Sequence, residues 1–499
     1  LTYGVDVDEL STMGLTVFWG FNAAVSAPHL FRLSVKARKK GGLIIVVDPR
    51  KSETAQSADV WVQTRPGSDV ALVYGILKYL IDNAMVDTNF ISEYVHGFNQ
   101  LKEEVSTWTI DAVVKYTGVP WDTVGELAEL YHDHRQNMTL IGIGMQKSLY
   151  GAESVRAISF IPAVVGVHRG FYYSNCQGWK VDLRYVTGEA LTDKKLNCVS
   201  QVALGNLLEK GEFTFVYIHN TNPAATLPNQ KAVQKGFARE DVFTVVHDTH
   251  WTETAGHADL VLPAPTFFEK EDIVLPYSHR YVRKSEKVID PAGESRSELW
   301  VVTQLFELLQ CEQEWLYEDA WEAAGVALQN AFEQGDISDV REGTPVKLKM
   351  NPQNEYQTPT RKIELYSTTA KAGVTPLPKQ YPLPENGFIL VNSAAKKYTH
   401  TQFQDVYGVI PPIVFINLED ARRYTIHDTD IVELYNELGS LKLKAVVSTS
   451  VPRGVLWAPR QGKDIEGTLQ NCIMPDTTQK IGGGPVFNST LVKIRRLQS

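Results

Sequence analysis

Asp48 and Asp248 each close a short apolar run, residues 43–47 and 242–246. A carboxylate at such a strand end can accept paired hydrogen bonds from ribose hydroxyls, or from the N1–H and 2-amino group of a guanine. Arg50, two residues on, can meet a phosphate with its planar fork. Gly20-Phe21-Asn22 ends the apolar run 15–19. A glycine there lets the backbone come close to a phosphate. Arg65-Pro66-Gly67-Ser68-Asp69 is a further loop that opens a helix. No GxGxxG exists, and Gly142-Ile143-Gly144 lacks a third glycine, so an ordinary nicotinamide-dinucleotide loop is not supported.

These residues recur. Shifted by 200, Asn22, Ala24 and Pro28 fall on Asn222, Ala224 and Pro228, and Val46 and Asp48 fall on Val246 and Asp248. Glu53, Thr54, Ala55, Ala58 and Asp59 fall on Glu253, Thr254, Ala255, Ala258 and Asp259. That makes 10 identities in the 38 positions from 22 to 59, where average composition gives roughly two or three. Loop positions carry binding residues more often than cores do, so polar identities there favour two similar nucleotide sites over a duplication kept only for packing.

Other chemistries find less support. His247, His250 and His257 are spaced H-x2-H-x6-H, but His257 falls on Ser57 of the first copy, so loop or packing histidines are the better reading. The four cysteines, Cys176, Cys198, Cys311 and Cys472, form no CxxC. A disulfide framework and a thiolate metal site are disfavoured, and the compartment leans towards a reducing one. Lys+Arg 49 against Asp+Glu 58 gives a net charge of −9, which argues against a nucleic-acid partner. No run approaches the ~20 apolar residues of a membrane helix. The first residue is Leu rather than Met, and no signal-peptide pattern follows it.

The elements that must position these residues follow from periodicity. Residues 15–19 and 43–47 read as strands flanking a helix over 28–40, with Pro28 in its first turn and Gly41-Gly42 as its stop. Residues 70–83 have helical spacing, and 139–143 read as another strand. The expected fold is α/β: two related Rossmann-like halves, over 1–204 and 205–343, the second with a helical extension. A connector over 344–387 leads to a C-terminal, mainly β barrel over 388–499. Strands in that barrel are expected at 388–391, 431–435, 441–447 and 455–458, with a hairpin turn at Asn436-Glu437-Leu438-Gly439.

In order along nearly the whole chain, these segments resemble the molybdopterin oxidoreductases, the superfamily of dimethyl sulfoxide reductase and of formate dehydrogenase and nitrate reductase catalytic subunits. Phe18-Trp19-Gly20-Phe21-Asn22 is similar to that family's strand–GxN loop. Val47-Asp48-Pro49-Arg50, with Thr54-Ala55, Ala58-Asp59 and Arg65-Pro66-Gly67-Ser68-Asp69, is similar to its most recognisable stretch. Asn220-Thr221-Asn222-Pro223 and the run from Thr252 to Ala264 resemble a second copy. Asn417, Asp420-Ala421, Ile426, Asp428, Asp430 and Gly439 resemble its pterin-dinucleotide-binding barrel.

The resemblance implies molybdenum or tungsten held by two molybdopterin guanine dinucleotides. Gly20, Asn22, Asp48, Arg50, Gly67 and Asp69 would serve one. Asn222, Asp248, Glu253 and Thr254 would serve the other. His400, Thr401, Asn417 and Asn471 would act from the β domain. Lys147, Tyr172, Tyr173, Ser174 and Asn175 are candidates for a substrate pocket. The family's side-chain ligand to the metal precedes its GxN loop, so no metal ligand is expected within this chain, and a [4Fe–4S] cluster only in an upstream domain. The expected activity is oxo or hydride-equivalent transfer on a small molecule, with an electron-transfer partner or subunit and a cytoplasmic lean. Formate is not assigned. Its Arg-Gly-Gln-Asn-Asn stretch is Phe171-Tyr172-Tyr173-Ser174-Asn175 here, and the segment after Glu269-Lys270-Glu271 runs Asp272-Ile273-Val274-Leu275-Pro276-Tyr277. The alternative is a non-catalytic scaffold resembling the large iron–sulfur subunit of respiratory complex I.

Overall fold

Leu15–Trp19 (β1) is apolar on both faces and wholly buried, as a central strand of a parallel sheet must be. It pairs in parallel with Leu43–Val47 (β2) on one side and with Asn137–Ile141 on the other. With Val60–Val62 as β3, Asn137–Ile141 as β4 and Phe171–Tyr173 as β5, the sheet runs β3-β2-β1-β4-β5, all parallel. This computed structural model describes residues 6–173, 180–193, 197–275, 279–350, 354–370 and 374–497. Ser174, Asn175, Cys176, Pro276, Tyr277 and the side chain of Tyr173 lie outside them.

Helices cover both faces. Leu15, Val17 and Trp19 pack with Val70, Val73 and Leu77 of the helix Asp69–Asp82. Phe18, Ile44 and Val46 pack with Leu30 of the helix Pro28–Arg38. That helix has Pro28 in its first turn and Lys36 and Arg38 in its last, which suits the helix dipole.

The chain divides into two compact units. One joins 1–177, 228–230 and 352–499, and the other comprises 178–227 and 231–351. In the second, Phe215–His219 (β6), Phe243–Asp248 (β7) and Leu260–Pro263 (β8) form a parallel sheet in that order. One face packs Ile218 and Val246 on Leu208, Val233 and Phe237.

The C-terminal region closes into a six-stranded barrel, so the fold is mixed α/β with a β-barrel. Its strands are Phe388–Ser393 (β9), Ile413–Asn417 (β10), Ile431–Tyr435 (β11), Ser440–Ser448 (β12), Val455–Pro459 (β13) and Thr490–Arg496 (β14). The order is β9-β13-β10-β12-β11-β14, and β14 closes the ring by pairing antiparallel with β9. Alternate residues fill the interior, among them Phe388, Leu390, Val432, Leu434 and Val492. Four of these strands cover the expected runs; β10 and β14 are the additions that close the barrel. Asn436 makes the hairpin turn by donating its N–H to Gly439 O at 3.0 Å.

Candidate functional site

In an open parallel sheet, ligands gather beyond the carboxyl ends of the strands where the strand order reverses. Here that point lies between β1 and β4, which end in Gly20 and Gly142. A Cβ on Gly142 would sit 2.0 Å from Gly20 O, so the two backbones meet with no room for a side chain. Gly20 has φ +58°, and a Cβ on it would reach Met145 Sδ at 2.4 Å. The two strand ends thus pack backbone against backbone, with the Met145 side chain against Gly20.

Beside it, Asn22 is fully engaged. Its Nδ2 donates to Glu53 Oε2 at 2.7 Å, and its Oδ1 accepts from Thr54 N at 3.2 Å and Thr54 Oγ1 at 2.9 Å. Ala24 N donates to Thr54 Oγ1 at 2.9 Å. The other unit repeats each bond. Asn222 Nδ2 reaches Glu253 Oε2 at 2.8 Å, Thr254 N and Oγ1 reach Asn222 Oδ1 at 3.1 and 2.7 Å, and Ala224 N reaches Thr254 Oγ1 at 3.0 Å. Asp59 and Asp259 accept from Ile44 N and Thr244 N at 2.8 and 2.7 Å. The recurring polar residues thus brace each strand-end loop against the turn that follows. Asn22→Ala and Asn222→Ala are each expected to lower stability by roughly 2–3 kcal/mol in urea unfolding, at about 1 kcal/mol per bond lost.

The acids differ in exposure. Asp48 is buried, and its Oδ1 accepts from Arg50 N at 2.8 Å. Burial pushes its carboxyl up to about 6, against the opposing Arg50 amide and charge. No hydrogen bond to Oδ2 occurs among the described residues. Asp69 is also buried, accepts from Trp19 Nε1 at 2.8 Å, and is pushed up to about 6 by burial. Gly67, with φ +83°, turns the loop before it, and Gly67 O accepts from Gln380 Nε2 at 2.8 Å. Asp248 is half-buried and accepts from Thr249 N at 2.7 Å.

Arg50 ties the sheet to the barrel. Its guanidinium lies 4.4 Å from the ring centroid of Trp457, and Nη2 pairs with Glu53 at 3.3 Å. Farther along, the loop after β4 is stitched to the barrel. Asn488 N donates to Lys147 O at 2.8 Å, Asn488 Nδ2 to Gly144 O at 3.1 Å, Gln479 Nε2 to Ser148 O at 2.6 Å, and Leu149 N to Ser489 Oγ at 3.0 Å.

Three basic groups collect there with no countercharge among the described residues. Burial, then the Arg460 charge, pushes Lys147 down to about 8. Burial, Arg460 and Lys147 hold His400 below its ordinary value, opposed only by the bond that His400 Nδ1 donates to Gln461 Oε1 at 3.1 Å. Burial holds Arg460 down too, and its Nε is buried with no hydrogen-bond partner among the described residues. No carboxylate is among the groups acting on any of the three. Two half-buried cations and a buried guanidinium N–H without a partner are costly unless an anion joins them. The cluster therefore suits a phosphate.

Two family models match the chain. Residues 5–308 match the molybdopterin oxidoreductase model, more than half of the chain. The chain belongs to the molybdopterin oxidoreductases. Residues 388–491, the barrel, match the molybdopterin dinucleotide binding domain. This oxidoreductase is 32% identical to the probable oxidoreductase YoaE of Bacillus subtilis, over 100% of this chain and 77% of that protein. It is 25% identical to the F420-dependent formate dehydrogenase subunit alpha of Methanocaldococcus jannaschii, over 98% of this chain and 78% of that protein. Acetylene hydratase from Pelobacter acetylenicus has the same fold, with a TM-score of 0.81 at 19% identity, over 98% of this chain and 78% of that one. The cofactor of this molybdopterin oxidoreductase is accordingly molybdenum or tungsten carried by molybdopterin guanine dinucleotide.

The remaining candidates are placed as follows. Asn417 caps the helix Leu418–Arg423, accepting from Glu419 N at 2.9 Å, and donates to Val451 O at 2.9 Å. Asn471 is buried in the turn Gln470–Ile473. Thr401 O accepts from Gln404 Nε2 at 3.0 Å. Tyr172 is buried in the apolar layer with Phe18 and Met138. Arg460, Gln461, Gln479 and Asn488 escaped the sequence reading. The one available signal was Pro459-Arg460-Gln461-Gly462, a polar turn directly after an apolar strand. Among the described residues no cluster of three His, Cys, Asp or Glu could hold a metal ion, and no helix is long and apolar enough to cross a membrane.

Proposed function

We propose that this chain is the catalytic subunit of a bis-dinucleotide molybdenum or tungsten oxidoreductase, one dinucleotide per α/β half. The observation that carries this is the orphaned Arg460 Nε beside Lys147 and His400 with no carboxylate among them. Lys147, His400 and Arg460 would hold phosphate charge. Asp48, with Oδ2 open, would accept from a guanine edge or ribose, and Arg50 would reach the phosphates. Asn222, Asp248, Glu253 and Thr254, in a loop braced as the first is, would serve the second dinucleotide. When bound, the metal–pterin group supplies two-electron redox chemistry for oxo or hydride-equivalent transfer. This chain's share is to orient that group, exclude water and balance its charge.

The substrate is a small molecule, and electrons leave through a partner subunit; the relative from M. jannaschii is itself an alpha subunit. The test measures Mo, W and guanine in protein made from its native reading frame in a pterin-competent host. Metal near one per chain, with about two guanines per metal, is expected. A folded protein holding neither would overturn the proposal in favour of a scaffold.

A further inference from the structure

The three strands of the second sheet correspond at the same shift of 200 to β1, β2 and β3: Phe215 to Leu15, Phe243 to Leu43, Leu260 to Val60. Their surroundings do not correspond. Leu15, Val17 and Trp19 are each 0% exposed, under the helix Asp69–Asp82. Phe215 is 60% exposed, Phe243 49% and Leu260 46%. The Phe215 and Phe243 rings stack on each other 6.3 Å apart at 9°. Strand β1 has β4 on its far side, whereas β6 has no second strand among the described residues. Parallel sheets are stable with both faces covered and their edges blunted. Here half of one face and one edge are bare, while the opposite face buries Ile218, Thr244 and Val246 and half-buries Val216 and Val261.

We propose that a strand–helix unit from further polypeptide of this same protein, outside residues 1–499, completes the sheet. Its strand would pair in parallel with β6, in the place β4 holds beside β1. Its helix would lay an apolar face on Phe215, Phe243 and Leu260, as Val70, Val73 and Leu77 do on Leu15 and Val17. The bare positions carry no charge, so the occupant is matched by burial rather than by ion pairing. Two relatives are long enough to hold such a unit, since the chain covers only 77% and 78% of them. The inference rests on the strand correspondence used in the proposed function and not on the cofactor.

Hydrogen exchange at the amides of Phe215–His219 tests it, comparing residues 1–499 with the protein from the complete native reading frame. The outward amides of β6 are expected to exchange at least about a hundredfold more slowly in the complete protein. Phe243→Asp is expected to leave the melting of residues 1–499 nearly unchanged and to lower that of the complete protein. Equal exchange in both would overturn the proposal. So would protection appearing in residues 1–499 alone as concentration rises, which would identify a second copy as the occupant. A reading frame encoding nothing beyond these residues would overturn it as well. Metal and guanine content, measured on the same samples, reports the cofactor reading separately.

Discussion

Arg460→Glu is expected to strip guanine nucleotide from the protein while making the cofactor-free form more stable. The two effects have opposite signs because the cluster is built for an absent charge. Without an anion, Lys147, His400 and Arg460 repel one another, offset only by the Phe487 ring near Lys147 and the Gln461 bond to His400, and the partial burial of Lys147 and Arg460 adds to the cost. A carboxylate at 460 would pair with Lys147 and His400 and would repel phosphate. A charge-assisted hydrogen bond contributes about 1.5–3 kcal/mol, so bound guanine should fall at least tenfold. The pH dependence should change with it. Lys147 titrates at about 8 in the folded protein against an ordinary 10.5. Between those values the unfolded chain holds more protons than the folded one, so cofactor-free stability rises with pH across that window. Below pH 8 the full cost of burying the charged amine is present. In Arg460→Glu that rise should flatten, as it should in Lys147→Gln. Urea unfolding at about pH 7 and pH 10 reads the slope. Unchanged nucleotide content, or a less stable cofactor-free variant, would remove the anion-binding role from this cluster.

The first sheet was readable because its signals are local. An unbroken apolar run marks Leu15–Trp19 as a central strand, and Pro28 with the basic last turn marks the helix that follows. The barrel was readable in part. Strand β10 carries the apolar run Ile413-Val414-Phe415-Ile416 and was legible, whereas β14 alternates buried residues with exposed Lys493 and Arg495 and does not stand out as an apolar run. The recurrence at 200 was plain in the residues, but its physical content was not. Asn22, Glu53 and Thr54 are bonded to one another, as are Asn222, Glu253 and Thr254, and identity cannot distinguish a brace from a ligand contact. The basic cluster was the least readable feature. Lys147 and Arg460 lie more than three hundred residues apart, and no spacing pattern reports a meeting between a strand-end loop and a barrel. The division into units is of the same kind, since periodicity is local and cannot show that 352–499 rejoins 1–177.

Gly142→Ala should be the most damaging single methyl group in the first sheet, and Gly144→Ala, two residues on, should be nearly silent. At Gly142 the new carbon would lie 2.0 Å from Gly20 O, 2.7 Å from Gly20 C and 2.9 Å from Phe21 Cα. All three are backbone atoms, so no rotamer change relieves the overlap. Moving them would pull on the bonds from Gly20 N to Val47 O and from Gly142 N to Trp19 O, at 2.8 and 2.9 Å, which hold the ends of β1, β2 and β4 together. Overpacking of this kind costs about 3 kcal/mol or more. It also shifts the turn that leads into Asn22, so metal and guanine content should fall together with stability. At Gly144 the nearest atoms would be Asn488 Nδ2 at 3.5 Å and Gly20 O at 3.7 Å, ordinary contacts. Its φ of −55° is open to any residue, so alanine should shift stability by no more than about 1 kcal/mol. The comparison separates the two glycines of one short motif by the atoms they face. Equal behaviour of the two variants would mean that the strand ends do not meet as closely as Gly20 and Gly142 require.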